Sequence, residues 1–202
     1  MISGRFLRER TVMTPPLDDP YFTALHKHVT PRLGPGYAYA RPVDDEGIGV
    51  GMHRLNPLQI TAITLGLPFQ PGAKEPAEFA CSLQSDQERE AHYLVRLAAR
   101  WFLKNDEASV GFGEWIQSGE PMIDGTGIHG LLFDTFPHGT TTFSVFDGAV
   151  WPDGGEGTLQ IFAVVPLTAP EIEVLEDPGQ GVEALWTRWR EEETEIWNAR
   201  RE

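Results

Sequence analysis

The chain has 202 residues, of which 30 are acidic and 16 are basic, so its formal net charge is −14. Hydrophobic residues make up 41% and charged residues 23%, values typical of a globular protein, and disorder is not expected. Such an acidic surface repels phosphate backbones and anionic lipid, which makes nucleic acid and membranes poor candidate partners and favours a basic protein. Solubility alone explains the same charge.

The cysteine content and the length of the apolar runs indicate in which cellular compartment the protein is expected. Cys81 is the single cysteine, so neither an intrachain disulfide nor a cysteine-rich zinc site is expected. The longest apolar run, at 161–167, is much shorter than the roughly 20 residues of a membrane-spanning helix, and no apolar stretch follows the arginines of the amino terminus. We therefore expect no secretory signal and no membrane segment, and by default a cytoplasmic location.

The amino-terminal third begins with an arm and a helix. Residues 1–17 are polar and are predicted to form a flexible arm, followed by a single domain at 18–202. Asp19 and Pro20 are typical of a helix start, with the aspartate as N-cap and the proline in the first turn. Apolar residues then recur at helical spacing, and we expect the helix to end at Pro31 and the glycines beyond it.

Three strands and the clearest helix follow. Strands are predicted at 48–55, 60–67 and 78–83, and in the third of them Cys81 lies on the apolar side, facing the core. A helix is predicted at 86–104. Its start is predicted from a capping box formed by Ser85 and Glu88. Its apolar stripe consists of Ala91, Leu94, Val95, Ala98, Trp101 and Phe102.

The remainder is rich in strands, which are predicted at 110–117, 130–136, 141–146 and 158–167. The last is apolar on both faces, as is typical of a central strand. Thr168 and Glu171 predict a second capping box, which opens a short helix ending near 177–179. A closing helix is predicted from about Val182. Its apolar side consists of Val182, Leu185, Trp186, Trp189, Ile196 and Trp197.

The order of these elements predicts the fold class. Strands outnumber helices, and two long helices bracket most of the strands. We therefore expect an α+β fold with a mixed, largely antiparallel sheet, on which two long helices and a short third one pack.

Catalytic groups are sparse in the sequence. His129, Asp134 and His138 share one hairpin-like segment, and a His–Asp pair can act as acid and base or hold a metal. No third ligand is evident, and isolated histidines at strand ends are the commoner case. His26 and His28 are two residues apart, which on a helix sends them in different directions. We predict no catalytic residue, metal or cofactor, and keep a hydrolase or metal-dependent enzyme at these residues as an alternative.

Aromatic residues in acidic surroundings are the remaining candidates, because exposed aromatics often anchor interfaces. They are Phe69 in the loop at 68–76, Trp115 near a strand end, and Trp151 before the last strand. Alternatively, Trp151 covers the sheet edge and Trp115 fills the core. The carboxylates predicted to accompany the aromatics are Glu75, Asp147, Asp153 and Glu156.

Several segments resemble the suppressor-of-fused domain family. They are EFACSL at 78–83, LAARWF at 97–102, LQIFAVVPLTAPE at 159–171 and GQGV at 179–182. The resemblance covers about residues 18–190 and implies an α+β fold without known enzymatic chemistry. In animals this domain belongs to a regulator that sequesters transcription factors, and many bacterial members resemble immunity proteins that neutralise a toxin.

The leading hypothesis is therefore a non-enzymatic protein binder that acts by occlusion, such as an immunity protein with a basic toxin as its partner. A third hypothesis, beside the enzyme, is self-association through the end of the closing helix, from Trp189 to Trp197.

Overall fold

The computed structural model describes residues 19–40, 48–105, 110–136, 141–151 and 153–201. The helices are α1 (Pro20–Leu33), α2 (Glu88–Lys104), α3 (Thr141–Ser144), α4 (Ala169–Glu176) and α5 (Val182–Glu191), with a 3-10 turn at Leu67–Phe69. The strands are β1 (Gly36–Ala40), β2 (Gly49–Asn56), β3 (Gln59–Leu65), β4 (Ala77–Gln84), β5 (Glu114–Gln117), β6 (Ile128–Asp134), β7 (Val145–Val150) and β8 (Glu156–Thr168). The arm predicted at 1–17 lies outside these residues, so its separation from a domain at 18–202 stays a prediction.

Within the described residues, the strands form one eight-stranded sheet in the order β1-β2-β3-β4-β8-β6-β5, with β7 also paired to β8. Only the β4–β8 pair is parallel among the described strands, and the other pairs are antiparallel. The predicted α+β class with a mixed, largely antiparallel sheet is confirmed.

Helices cover both faces of the sheet. The apolar stripe of α2 packs on one face, whereas α1, α4 and α5 pack on the other. β8 is buried continuously over 161–168, so the prediction of a central strand that is apolar on both faces is confirmed. Because neither face is open to water, a polar residue in a central strand is not automatically exposed.

The start of α1 is confirmed, but its end differs from the prediction. The Oδ1 atom of Asp19 accepts a hydrogen bond from the N–H of Tyr21 at 2.8 Å, as an N-cap should. Pro31 lies inside the last turn and does not end the helix, which continues to Leu33. A proline this close to the end removes one intrahelical hydrogen bond, and Gly34, with a φ of 78°, supplies the stop.

The two predicted capping boxes have opposite outcomes. The box of Thr168 and Glu171 is confirmed, with the Thr168 N–H donating to a glutamate oxygen at 2.6 Å. The box of Ser85 and Glu88 is wrong, because α2 begins two residues later than predicted, with Gln87 as its N-cap. The Gln87 side chain binds the carboxy-terminal segment instead, donating to the Asn198 side chain at 2.7 Å and accepting from the Ala199 N–H at 2.9 Å.

Other differences concern short strands and one short helix. β1 was not predicted, and β5 is shorter than the predicted 110–117 because a turn with Gly113 at a φ of 87° precedes it. Residues 141–144 form α3, where a strand was predicted. Both β6 and β7 pair antiparallel with β8: the last pair of β6 is Asp134 with Ala163, and the first pair of β7 is Val145 with Gln160. The helix α3 lies in the segment that connects β6 to β7.

The closing helix is also shorter than predicted. α5 ends at Glu191, and Glu193 adopts a φ of 52°, which interrupts helical geometry. Trp189 and Ile196 are only 4% and 6% exposed, because both pack into the core of their own chain. These two apolar side chains of the segment from Trp189 to Trp197, which was predicted to self-associate, are therefore buried within their own chain.

None of the helices in the described ranges combines the length and the apolar character that a membrane crossing requires.

Candidate binding cleft

Two loops face each other across an open cleft of about 440 Å³ at one end of the sheet. Parallel pairing aligns Ala77 of β4 with Gln160 of β8, so the loops that lead into these two strands lie side by side. The cleft is lined by Pro68, Phe69, Ala73, Lys74, Glu75, Pro76, Trp151 and Asp153. Four of the seven predicted binding residues, Phe69, Glu75, Trp151 and Asp153, thus meet although they come from distant parts of the sequence.

A tight turn presents Trp151 at the cleft. The Trp151 N–H donates to the Gly155 carbonyl at 2.8 Å, and the Gly154 N–H donates to the Trp151 carbonyl at 2.9 Å. The Oδ1 atom of Asp153 accepts the Gly155 N–H at 2.9 Å. The Asp153 carboxylate therefore both shapes the turn and places a charge at the cleft; Pro152, between the two predicted residues, lies outside the described ranges.

An aromatic wall, formed by Tyr21, Phe69 and Trp151, supports the cleft from the side of α1. The Trp151 indole stacks on the Tyr21 ring with centroids 5.8 Å apart and an interplanar angle of 22°. Phe69 meets both rings edge-on, at 4.7 Å from Tyr21 and 6.2 Å from Trp151. Such geometries are favourable for aromatic pairs.

Gly157 allows the indole of Trp151 to lie close to β8. A Cβ atom at this position would stand 2.5 Å from the indole Nε1 and 3.1 Å from Cε2. The position of Trp151 therefore depends on the absence of a side chain at Gly157. Trp151 is half-buried. This degree of burial lies between the two predicted outcomes, an exposed anchor and a side chain that covers the sheet edge.

The cleft carries negative charge. The Glu75 carboxylate accepts the Val110 N–H at 2.8 Å, and the Asp153 carboxylate lies on the opposite side. Lys74 also lines the cleft, and its ammonium group donates to the Asn105 carbonyl at 2.9 Å.

The remaining predicted carboxylates lie on the β7–β8 hairpin outside the cleft. Asp147 is exposed and accepts the Thr158 hydroxyl at 2.7 Å, while exposed Glu156 pairs with Val150 at the base of the Trp151 turn. They extend the acidic character of this end of the molecule without lining the cleft.

Trp115 does not belong to this site. It lies on β5, at the far edge of the sheet, opposite Leu132, with β6 between it and β8. Its half-buried side chain packs against the core cluster on the α1 and α5 face. Trp115 is therefore not among the residues that line the cleft, and a role for it in binding a partner stays a prediction.

A buried carboxylate lies behind the aromatic wall. Glu78 is 0% exposed, and its Oε1 accepts the Tyr21 hydroxyl at 2.6 Å and the backbone N–H groups of Gly66 and Leu67 at 2.6 and 3.2 Å. Its Oε2 accepts the Thr64 hydroxyl at 2.5 Å. Burial raises the pKa of Glu78 from 4.5 to about 7, although these four hydrogen bonds act in the opposite direction.

Two of the three alternative catalytic residues lie within the described ranges, and the structure does not bring these two together. His129 and Asp134 are five residues apart on β6, a distance of about 17 Å along a strand. The Asp134 carboxylate accepts the indole N–H of Trp186 at 2.7 Å, which gives it a structural role. His138 lies outside the described residues. Across the ranges that the structure describes, no three His, Cys, Asp or Glu side chains form a group able to hold a metal.

The other candidate groups also have structural partners. His28 stacks on Phe146 with centroids 4.3 Å apart, whereas His26 points towards His53, 6.2 Å away, so the two histidines diverge as predicted. Cys81 is buried in the core as predicted, and burial raises the pKa of its thiol to about 12. A thiol this weakly acidic is a poor nucleophile.

Sequence reasoning missed Tyr21 and Glu78. Tyr21 belongs to the apolar stripe of α1, and Glu78 belongs to the more polar side of β4, so neither stood out. No local signal could have identified Glu78, because its burial depends on the pairing of β4 with β8, two segments that are far apart in the sequence.

Comparisons with known proteins agree with the fold. The family model described as "Suppressor of fused protein (SUFU)" matches residues 50–202. A solved structure described as a homologue of suppressor of fused from Neisseria gonorrhoeae FA 1090 is 16% identical, with a TM-score of 0.62 over 90% of this chain and 95% of that one. A second, described as the Sufu-Fu complex, is 13% identical, with a TM-score of 0.61 over 92% and 93%. At these identities the two structures support the fold alone. No curated protein matches the sequence significantly.

Proposed function

Because this chain belongs to the suppressor of fused family, we propose that it acts by binding another protein, and that the cleft between loop 67–76 and the turn 151–155 is the binding site. The observation that carries the proposal is the meeting of two half-buried aromatic residues, Phe69 and Trp151, with two carboxylates in one open cleft. One solved structure with the same fold is a complex with a second protein, Fu.

The charge of the cleft and of the whole chain favours a basic partner. Two carboxylates, those of Glu75 and Asp153, line the cleft against the single ammonium group of Lys74, so negative charge prevails there. With Asp147 and Glu156 on the adjoining hairpin, an incoming lysine or arginine side chain would find both opposite charge and aromatic rings. A net charge of −14 would further accelerate the encounter.

The biological role that we propose is that of an immunity protein, which neutralises a basic toxin by covering it stoichiometrically. The support is the family together with this acidic, aromatic cleft. The test is co-expression of the chain with the products of neighbouring genes, followed by isothermal titration calorimetry of any complex. The expected result is a 1:1 complex with a basic protein whose toxic activity is lost on binding.

A pair of matched variants tests the site. In Glu75→Gln/Asp153→Asn the oxygen atoms that accept the backbone N–H groups of Val110 and Gly155 are kept, while two charges are removed. We expect affinity to fall about three- to tenfold, with a weaker salt dependence.

The control variant, Glu173→Gln/Glu183→Gln, removes two charges from exposed positions on α4 and α5 and is expected to bind like the wild type. Equal loss in both variants would show that net charge acts without this site. Phe69→Ala should lower the affinity tenfold or more, since truncation of an aromatic hot-spot residue costs about 2 kcal/mol or more.

A further inference from the structure

Glu78 joins four elements behind the aromatic wall. Its own strand is β4, and its hydrogen-bond donors belong to α1, the end of β3 and the segment that begins the 3-10 turn. Tyr21, one of these donors, is itself a wall residue. Phe69, another wall residue, is tied to the same segment because its N–H donates to the Gly66 carbonyl at 3.2 Å. The carboxylate thus holds two of the three rings of the wall, Tyr21 directly and Phe69 through Gly66.

We propose that Glu78 is a proton-operated latch, whose ionised carboxylate holds the aromatic wall in the position described here and whose protonation loosens it. A second part of the proposal rests on the proposed function: when the aromatic wall is loosened, the cleft binds a basic partner less tightly.

The hydrogen bonds of Glu78 explain why protonation should loosen the aromatic wall. An ionised carboxylate accepts all four donors, and bonds to a charged acceptor are roughly twice as strong as neutral ones. After protonation one oxygen becomes a donor, and the bonds from Tyr21 and from the backbone at Gly66 and Leu67 become neutral. The hold on the wall therefore weakens although the groups remain in place.

The surroundings place this change in an accessible pH range. Glu78 is fully buried, which raises its pKa to about 7. The titratable group that faces it from α1 is Tyr21, whose own pKa is raised well above 10 by burial and by Glu78, so the phenol remains a donor. The contacts from β3 and the 3-10 turn are the Thr64 hydroxyl and backbone N–H groups, which do not titrate in this range.

Nuclear magnetic resonance of the full chain without a partner tests the latch. A titration from pH 5.5 to 8.5 would follow the Glu78 carboxyl carbon, the Gly66 amide and the Trp151 indole N–H, which Trp151→Phe assigns. The expected result is one common curve with a midpoint near pH 7. In Glu78→Gln, which resembles the protonated group, the amide and the indole should stay near their low-pH positions. A Glu78 carboxyl that does not titrate in this range would overturn the proposal.

Tyr21→Phe separates titration from coupling. It keeps the ring against Trp151 and removes the hydroxyl that binds Glu78. The Gly66 amide should still titrate, whereas the Trp151 signal should change at least twofold less than in the wild type. If the Trp151 indole N–H signal of the wild type does not change while Glu78 titrates, the latch is also overturned.

An octa-arginine peptide serves as the probe for binding. It should shift the Trp151 indole with at least threefold higher affinity at pH 8 than at pH 6, and this ratio should fall towards one in Glu78→Gln. An equal ratio in both proteins would overturn the extension to binding. A common titration curve without peptide binding at either pH would support the latch and count against the proposed basic partner alone.

Discussion

Glu78 and Glu171 are both buried carboxylates, but they are held by different kinds of donor. Glu78 lies beside the first half of β8 and binds two hydroxyls and two backbone N–H groups. Glu171 lies just beyond the end of β8 and binds the Arg201 guanidinium at 3.0 Å, the Trp189 indole N–H at 2.6 Å and its own capping partner. One site has neutral donors, and the other has a cation.

The type of donor around a buried carboxylate determines which role the carboxylate can have. Arg201 also donates to backbone carbonyls of Pro166, Ile196 and Asn198, so the Glu171 site fastens the carboxy-terminal segment to the sheet. A neutral shell leaves the Glu78 charge uncompensated, which makes it responsive to pH. We infer that Glu171 is a structural clamp and that Glu78 is a responsive group.

The largest expected effect comes from removing the cation. Arg201→Met leaves Glu171 buried without its countercharge, and loss of one partner of a buried pair costs about 3–5 kcal/mol of unfolding free energy. Urea denaturation at pH 7 measures it. Arg200→Met, in an exposed pair with Asp86, is the control and should change little. A folded Arg201→Met variant that loses less than about 1 kcal/mol would remove the contrast between the two sites.

The pH dependence of stability should come next in size. The pKa of Glu78 is about 7 in the folded chain against 4.5 in the unfolded one, so the folded chain keeps a proton that the unfolded chain releases. This contribution is fully present below pH 4.5 and is lost as the pH rises through 7, by about 3 kcal/mol in total. Urea denaturation from pH 4.5 to 8.5 measures it. A wild type and a Glu78→Gln variant with parallel pH profiles would contradict the prediction.

Tyr21→Phe should have a smaller effect that itself depends on pH. The variant loses one hydrogen bond to Glu78, worth about 2 kcal/mol when the acceptor is charged and about 1 kcal/mol when it is neutral. Denaturation at pH 8.5 and pH 5.5 should therefore give unequal losses. Tyr37→Phe, which removes an exposed hydroxyl bound to Glu88, is the control and should lose no more than about 0.5 kcal/mol at either pH. Equal losses for Tyr21→Phe at both pH values would indicate that Glu78 does not change its charge.

Gly157→Ala should have the smallest effect on stability. The added Cβ would stand 2.5 Å from the indole nitrogen of Trp151, which must move, at a cost of about 1 kcal/mol. Thermal denaturation and tryptophan fluorescence detect the loss and the displacement. Gly119→Ala is the matched control, because no heavy atom lies within 4 Å of a Cβ built there. An unchanged indole signal in Gly157→Ala would show that β8 does not restrain the wall.

Much of the candidate cleft could be predicted from sequence. Phe69, Glu75, Trp151 and Asp153 were selected because aromatics next to proline and acidic residues in loops are typical of interfaces. Trp115 satisfied the same local rule, yet it lies on the edge strand β5, away from the cleft beside β4 and β8. Local composition therefore identified the kinds of residue but could not decide which of them share a surface.

What the sequence alone determined is what depends on neighbours within a few residues. The Asp19 cap, the capping box at the start of α4, the apolar stripe of α2 and the two-sided apolar pattern of β8 all follow from short-range hydrogen bonding and periodicity. The tertiary structure alone decided the rest. Parallel pairing of β4 with β8 made two distant loops into one cleft, and α1 lying over β4 buried Glu78. Both results depend on contacts between segments far apart in the chain, which a local pattern does not encode.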